Sequence, residues 1–168
     1  TDTSLVTPFE RSKGRETATY EEAMDFYKKL AGRYNTIMLG DMGISDIGYP
    51  LRSVYYTKNG KFTKDDWKKG EKIVILINND IHPGEPDGVD ASMMLLRNAA
   101  TGRINIPENI VLVVVPIYNI GGALNRNNYS RANQNGPESY GFRGNSRNLD
   151  LNRDFTKCDA AETHAWGE

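Results

Sequence analysis

Residues 78–88 read NNDIHPGEPDG and place a histidine, His82, three positions before a glutamate, Glu85. Imidazole nitrogen and carboxylate oxygen are both good donors to zinc, and the intervening Pro83 and Gly84 can shape a turn that directs the two side chains at one point. The same pattern is also typical of a polar loop, in which the histidine bonds to the backbone and the glutamate favours the start of the next helix. A pair this short indicates a metal site only if other residues complete it.

A second group of residues that could do chemistry lies far downstream, in the segment GFRGNSRNLDLNRDF. It contains Asp150, Asn152 and Arg153, which we expect at the end of a short strand. An arginine guanidinium is a planar fork that matches a carboxylate, and a neighbouring asparagine amide can donate to the same group. Beside a metal, such a pair could bind the free carboxyl terminus of a peptide. The alternative is a strand end whose charges are simply solvated.

The elements around His82 predict an α/β fold. Ile73–Ile77 and Ile110–Val115 are apolar without alternation, so we expect both faces of each strand to be covered, as in the central strands of such a sheet. Between them, Asp87–Ala100 has helical spacing and Gly102 follows it. The order strand, helix, strand predicts a right-handed crossover with parallel pairing. His82 then lies just past a strand end, where open α/β sheets bind their ligands.

The rest of the chain is less regular. Thr19 and Glu22 form a capping box before a helical pattern that runs to Tyr34. The region 117–157 is rich in asparagine, arginine, glycine and tyrosine, and a loop region of that length is more often functional than idle. The remaining expectations are strands at 36–40 and 51–57, a polar loop over FTKDDWKKGE, and an extended or loose arm over residues 1–18.

Composition narrows the functional classes. Apolar residues make up 38% of the 168 and charged residues 26%, which suits a globular domain with a real core. The 21 basic and 22 acidic residues leave a net charge of −1, so the sequence does not indicate a nucleic-acid partner. No apolar stretch approaches the ~20 residues that span a bilayer. Because the first residue is Thr1 rather than methionine, we expect upstream processing, and Cys158 is alone and cannot form an internal disulfide.

Together these segments resemble the zinc metallocarboxypeptidase family, also called funnelins. The family carries a His-x-x-Glu pair after a central strand, a tyrosine-asparagine loop after the next strand, and an Asn-Arg pair following an aspartate. Here those features are HPGEPDG, PIYNIGG and LDLNRDF, in the family's order, over roughly residues 70–165. The resemblance implies a three-layer α/β/α fold with a mixed, mainly parallel central sheet, of which only the N-terminal half is present. Residues 19–168 would be the N-terminal portion of the catalytic domain, preceded by the arm of residues 1–18.

The resemblance also implies roles for individual residues. His82 and Glu85 would be the first two ligands of one zinc ion, and Asp150 would hold the imidazole in position. Asn152 and Arg153 would bind the terminal carboxylate of the substrate.

An arginine in the long loop should polarise the scissile carbonyl and stabilise the oxyanion. Arg131 aligns best with that position, whereas Arg126 and Arg143 are weaker candidates, and a loop-stabilising role stays open for all three. The stretch YNIGG departs from the Asn-Pro-Asp-Gly more usual in the family, so the local turn is expected to differ.

The implied site is incomplete in this sequence. The family's third ligand is a histidine on a later strand and its general base is a distant glutamate, and neither has a counterpart here. The remaining histidine, His164, is better explained as an exposed helical residue than as a ligand. We therefore do not expect this chain alone to be a competent peptidase. Its end inside a helix favours a fragment, which we expect to associate with itself or with its missing half because half a sheet exposes apolar edges.

Two other functions stay open. One is a zinc deacylase or amidohydrolase of the related superfamily, which also uses a His-x-x-Glu turn and also has to bind a carboxylate. The other is a non-catalytic module that binds peptides through their carboxylate. The habits of the family imply an exported protein, periplasmic or secreted.

Overall fold

Four strands form one mixed sheet in the computed structural model, which describes residues 3–167. The strands are β1 (Ile37–Ile44), β2 (Pro50–Thr57), β3 (Ile73–Asn78) and β4 (Ile110–Val115), arranged in the order β1-β2-β4-β3. The predicted parallel pairing of β3 with β4 is confirmed, as is the mixed α/β fold. Within the described chain, however, two of the three pairings are antiparallel, because β1 and β2 form a hairpin whose second strand runs against β4.

Helices flank this sheet. They are α1 (Pro8–Arg11), α2 (Tyr20–Arg33), α3 (Lys64–Lys69), α4 (Asp87–Ala100), α5 (Ile120–Leu124) and α6 (Ala161–Gly167), with short 3₁₀ helices at Thr3–Leu5 and Leu151–Arg153. The capping box predicted for α2 is present, since the Thr19 and Glu22 side chains each accept the other residue's backbone N–H. The bounds predicted for α4 match those observed. No helix in residues 3–167 is long and apolar enough to span a membrane.

The prediction of a polar loop over FTKDDWKKGE is wrong, because this segment contains α3. The Thr63 side chain caps this helix by accepting the N–H of Asp66. Acidic residues then occupy its first turn and basic residues its last, which matches the helix dipole. The helix buries none of its residues, so the sequence gives it no apolar periodicity to recognise.

The core lies between the sheet and the pair α2 and α4. Helix α2 contributes Tyr27 and Leu30, both fully buried, and Leu96 of α4 is equally inaccessible. From the sheet, alternate residues of β2 and β4 face them, among them Val54 and its register partner Val114. This packing fixes the end of β4 and the start of α4, and thereby the loops that follow β3 and β4.

The N-terminal arm is not loose, which corrects the expectation for residues 3–18. Leu5 is buried, and α1 is held by a capping box between Thr7 and Glu10. The Arg97 guanidinium, on α4, donates to both carboxylate oxygens of Glu10 at 2.6 and 2.9 Å and to the Leu5 carbonyl at 2.8 Å. A polar arm is ordered here because a nearly buried arginine needs these acceptors.

Strand β3 differs from the prediction that both its faces would be covered. It is the last strand of the sheet, and four consecutive apolar residues are 42–54% exposed: Ile73, Val74, Ile75 and Leu76. Because neighbouring residues of a strand point to opposite faces, this exposure means that both faces are open within the described chain. β4, between β2 and β3, is the buried central strand that the sequence predicts.

Candidate functional site

The turn after β3 places His82 and Glu85 side by side. The Asn79 N–H donates to the Val115 carbonyl, which extends the pairing of β3 with β4 by one residue. The turn is closed by the Glu85 N–H, which donates to the His82 carbonyl at 2.8 Å. Helix α4 begins two residues later, at Asp87, so the turn is anchored by a strand on one side and a helix on the other.

The His82 ring is held between two carboxylates. Its Nε2 lies 2.8 Å from Asp150 Oδ1, and its Nδ1 lies 3.8 Å from Glu85 Oε1. A proton on Nε2 donates to Asp150 and leaves the Nδ1 lone pair facing Glu85. Only 10% of the His82 side chain is exposed, so this orientation is also fixed by packing.

Asp150 has donors on both oxygens. Oδ1 also accepts the Asn152 N–H at 3.1 Å, and Oδ2 accepts two bonds from Arg143, at 3.2 Å from Nε and 2.9 Å from Nη2. Although burial opposes ionisation, the hydrogen bonds from His82, Arg143 and the Asn152 backbone together lower the pKa of Asp150 to about 2. The prediction of a short strand that ends near Asp150 is wrong, because Asp150 instead caps the 3₁₀ helix Leu151–Arg153.

Arg131 lies against the other carboxylate. Its Nη2 is 2.8 Å from Glu85 Oε1, and its backbone N–H donates to the Tyr140 hydroxyl at 3.1 Å. Tyr140 is buried and pairs with Asn127 in a two-residue bridge, so the loop that carries Arg131 is tied down locally. Gly84 makes the approach possible, because a Cβ at this position would lie 2.4 Å from Arg131 Nε.

The three arginines of the long loop therefore have different surroundings. Arg126 donates to the Ser139 carbonyl at 2.6 Å, which is the loop-stabilising role left open by the sequence. Arg131 contacts Glu85, and Arg143 contacts Asp150. The structure thus brings Arg131 and Arg143, but not Arg126, onto the carboxylates that flank His82.

Asn152 and Arg153 follow Asp150 directly, and both are exposed. The Arg153 Nη1 donates to the neighbouring Asn152 carbonyl at 3.1 Å. Their role in binding a carboxylate stays a prediction. His164 is exposed on α6, as expected.

The donor pair fits two positions of a zinc shell. Donors bound to one tetrahedral zinc at about 2.1 Å lie about 3.4 Å apart, and the His82 Nδ1 to Glu85 Oε1 distance of 3.8 Å is only slightly longer. Residues 3–167 contain no group of three histidine, cysteine, aspartate or glutamate side chains that could hold a metal ion. A site built here therefore has two protein ligands from the described chain.

Two residues near the site were missed by the sequence analysis. Asp80, in the turn that follows β3, is buried, and burial raises its pKa to about 8 although the charge of Arg126 opposes the shift. Asn119 is fully buried and bonded to the turn before His82 and to the loop of Arg143. The tyrosine-asparagine loop was the available signal for Asn119, but the motif alone assigns it no partner.

Solved structures share this fold. A metallo-carboxypeptidase from Burkholderia cenocepacia is 16% identical, covers 89% of this chain and 37% of its own, and superposes with a TM-score of 0.65. A metallo-carboxypeptidase from Pseudomonas aeruginosa, in complex with (2-guanidinoethylmercapto)succinic acid, is 15% identical over 85% of this chain and 35% of its own, with a TM-score of 0.54. For carboxypeptidase A from Helicoverpa armigera the identity is 16%, the coverages are 64% and 25%, and the TM-score is 0.55.

No family model and no curated protein matches the chain. The resemblance predicted from the sequence is confirmed at the level of the fold, which is that of part of a metallo-carboxypeptidase. The chain spans only 25–37% of the length of these three neighbours.

Proposed function

We propose that this chain supplies part of the active site of a zinc-dependent exopeptidase that removes C-terminal residues from peptides. The observation that carries the proposal is the convergence of His82 Nδ1 and Glu85 Oε1, with Asp150 bonded to the far side of the imidazole. The fold neighbours support it, because they are metallo-carboxypeptidases. One of them holds a succinic acid derivative, which is a carboxylate ligand.

His82 and Glu85 would hold one zinc ion, which when bound polarises a carbonyl and lowers the pKa of coordinated water. Asp150 keeps the His82 proton on Nε2, so that the lone pair of Nδ1 stays available to bind the metal ion. Arg131 is our first candidate for stabilising the oxyanion, and Arg143 is the second.

Asn152 and Arg153 would fix the carboxyl terminus of the peptide. Holding that terminus aligns only the last peptide bond for attack, which gives exopeptidase specificity by positioning.

The chain alone should not be a competent peptidase. A hydrolytic zinc takes three protein ligands and keeps one position for water, and the described residues supply two. A positioned general base contributes about 10²–10⁴-fold more, and we assign none here.

Zinc calorimetry on this chain tests the two ligands. We expect weak, saturable binding that falls by about tenfold or more in His82→Ala and in Glu85→Gln. His164→Ala is the matched control, because it removes an exposed histidine on α6 and should leave the affinity unchanged. Equal affinity in all four proteins would contradict the assignment.

The substrate class needs a longer protein that contains this chain. Hydrolysis of a series of peptides with different C-terminal residues should be compared with hydrolysis of N-acyl amino acids. Release of the C-terminal residue is required by our proposal, whereas a preference for N-acyl amino acids would favour a zinc deacylase.

A non-catalytic peptide-binding module is the second candidate, and the exposure of both Asn152 and Arg153 supports it. It predicts that this chain binds peptides without zinc and that Arg153→Ala removes the affinity. Amidating the peptide terminus should have the same effect.

We also propose that the chain, alone, associates with a second copy through β3, whose apolar side chains and backbone edge are open. Sedimentation equilibrium should then show a dimer that Leu76→Lys dissociates. Ile44→Lys is the control, since it adds the same charge to an exposed apolar residue of β1, at the opposite edge of the sheet. A monomer in all three proteins would remove this proposal.

A further inference from the structure

Asn119 uses every hydrogen-bonding atom of its side chain. It lies fully buried at the N-terminus of α5, where its Oδ1 accepts the Gly122 N–H at 2.8 Å. Its Nδ2 donates to the Ile81 carbonyl at 3.2 Å and to the Arg143 carbonyl at 3.0 Å. Its backbone N–H donates to the Asp80 carbonyl at 3.1 Å. The amide therefore joins three segments that are far apart in the sequence.

Two of these segments meet again at the imidazole. Ile81 immediately precedes His82, and the Arg143 guanidinium binds Asp150 Oδ2. Asp150 Oδ1 in turn lies 2.8 Å from His82 Nε2. The contacts close a ring that runs from Asn119 through Ile81, His82, Asp150 and Arg143 back to Asn119. A break at any one of these contacts removes a constraint on the distance between the His82 imidazole nitrogen and the Asp150 carboxylate.

Only an amide fits this position. Two donors must point at two carbonyls while an acceptor faces a backbone N–H, and a carboxylate of the same shape has no donors. The space is also closed, because a Cβ on Gly122 would lie 2.9 Å from Asn119 Nδ2 and 2.4 Å from the Phe142 carbonyl oxygen. Replacement of Asn119 by a residue without two donors therefore leaves the Ile81 and Arg143 carbonyls, whose bonds to the amide are partly buried, without their donor, which is costly.

We propose that Asn119 is a positioning residue that holds the His82 imidazole against Asp150, in addition to capping α5. The residue acts through the backbone of Ile81 and Arg143 and does not touch the proposed metal position. The inference takes its functional meaning from the proposed zinc site. The geometry itself is tested without metal, so that a failure of either proposal can be recognised separately.

The test measures how fast the His82 Nε2–H proton exchanges with water, by NMR at one fixed pH for all variants. In the unaltered chain this proton is hydrogen-bonded and largely excluded from solvent, so it should give a resolved resonance, unlike that of exposed His164. In Asn119→Asp we expect exchange at least about tenfold faster, because the local opening that frees the proton becomes easier.

Tyr20→Phe is the matched control. It removes one hydrogen bond, from the Tyr20 hydroxyl to the Pro50 carbonyl at 2.6 Å, without touching the ring of contacts. It should lower the free energy of unfolding while the His82 proton stays protected. Global stability is followed by urea unfolding in every variant, so that local and global opening are separated.

Asn119→Ser is the second variant, because its hydroxyl can still accept the Gly122 N–H and so keep the cap of α5. It should expose the His82 proton as Asn119→Asp does. The proposal is overturned if either folded variant keeps the proton as protected as the control does. It is also overturned if neither variant folds, since the residue would then be needed for the fold as a whole.

Discussion

Strands β3 and β4 are both aliphatic, apart from Asn78 at the end of β3, and lie next to each other in parallel, yet their surroundings differ. Leu112 of β4 is 5% exposed, whereas its register partner Ile75 of β3 is 42% exposed. Among residues 3–167, β4 has a neighbour on each side and helices over its core face, while β3 has one neighbour and open faces. The comparison teaches that an apolar run indicates that a strand has to be covered but does not identify the segment that covers it.

Truncation at this register pair should give the largest contrast. Leu112→Ala removes a side chain from the closed core and is expected to cost about 2–5 kcal/mol of unfolding free energy. Ile75→Ala, one strand away, should cost less than about 1 kcal/mol in the monomer, because its side chain is already half in water. Urea unfolding at low protein concentration measures both.

Equal costs at the two positions would break the comparison. They would mean that β3 is covered in solution, as a dimer through this strand would require. Repeating the Ile75→Ala measurement at increasing protein concentration separates these cases, since only coverage by a second copy makes its cost grow with concentration.

The core that covers β4 includes side chains of α4. An ion pair between Glu10 and Arg97 joins α4 to the N-terminal segment. The bidentate bonds from Arg97 lower the pKa of Glu10 from 4.5 to about 2. Because the pKa is lower in the folded state, the stabilisation is complete above about pH 4.5 and is lost as the pH falls toward 2. We expect a loss of about 1–2 kcal/mol over that range, after allowance for the partial exposure of the carboxylate.

Glu10→Gln should remove this part of the acid dependence while it lowers stability at neutral pH. Acid unfolding followed by circular dichroism compares the two proteins. Glu138→Gln serves as the control, because its partner Arg15 is 3.9 Å away and both side chains are largely exposed. An unchanged acid profile in Glu10→Gln would show that Arg97 is satisfied without the carboxylate.

Backbone hydrogen exchange should give the smallest contrast between the strands. The β3 amides that bond to β4 can open by fraying at the free edge, whereas β4 amides are bonded inside the sheet. We expect the most protected β3 amide to exchange about tenfold faster than the most protected β4 amide. Equal protection in the two strands would sharpen the case for an occupied edge.

Much of this architecture was readable in the sequence because it repeats locally. The apolar spacing of Asp87–Ala100 and the run Ile110–Val115 predict α4 and β4 with the observed bounds. The polar helix α3 was missed because it buries nothing, so only its cap at Thr63 and the order of its acidic and basic residues could have indicated it. The order of the N-terminal segment was missed although Thr7 and Glu10 carry the local pattern of a capping box, and its other partner, Arg97, lies far away in the sequence.

The contacts of the candidate site also separate into those that the local sequence predicts and those that depend on distant residues. The convergence of His82 and Glu85 follows from their spacing in one turn, so the sequence predicts it directly. The contact of His82 with Asp150 joins residues 68 positions apart and was predicted only through the family resemblance. Nothing local distinguishes the partners of Arg131 and Arg143, because which carboxylate each reaches is set by the path of a long irregular loop.

Because residue 84 is a glycine, a substitution there can move the neighbouring charge of Arg131. The backbone of the glycine needs no unusual dihedral angle, so Gly84→Ala adds only a methyl group, and that methyl would occupy the place of Arg131 Nε and Cγ. Since the arginine is flexible, it would swing aside rather than unfold the turn. The guanidinium can thus be displaced from Glu85 while it keeps its positive charge, which separates the effect of its location from the effect of its charge.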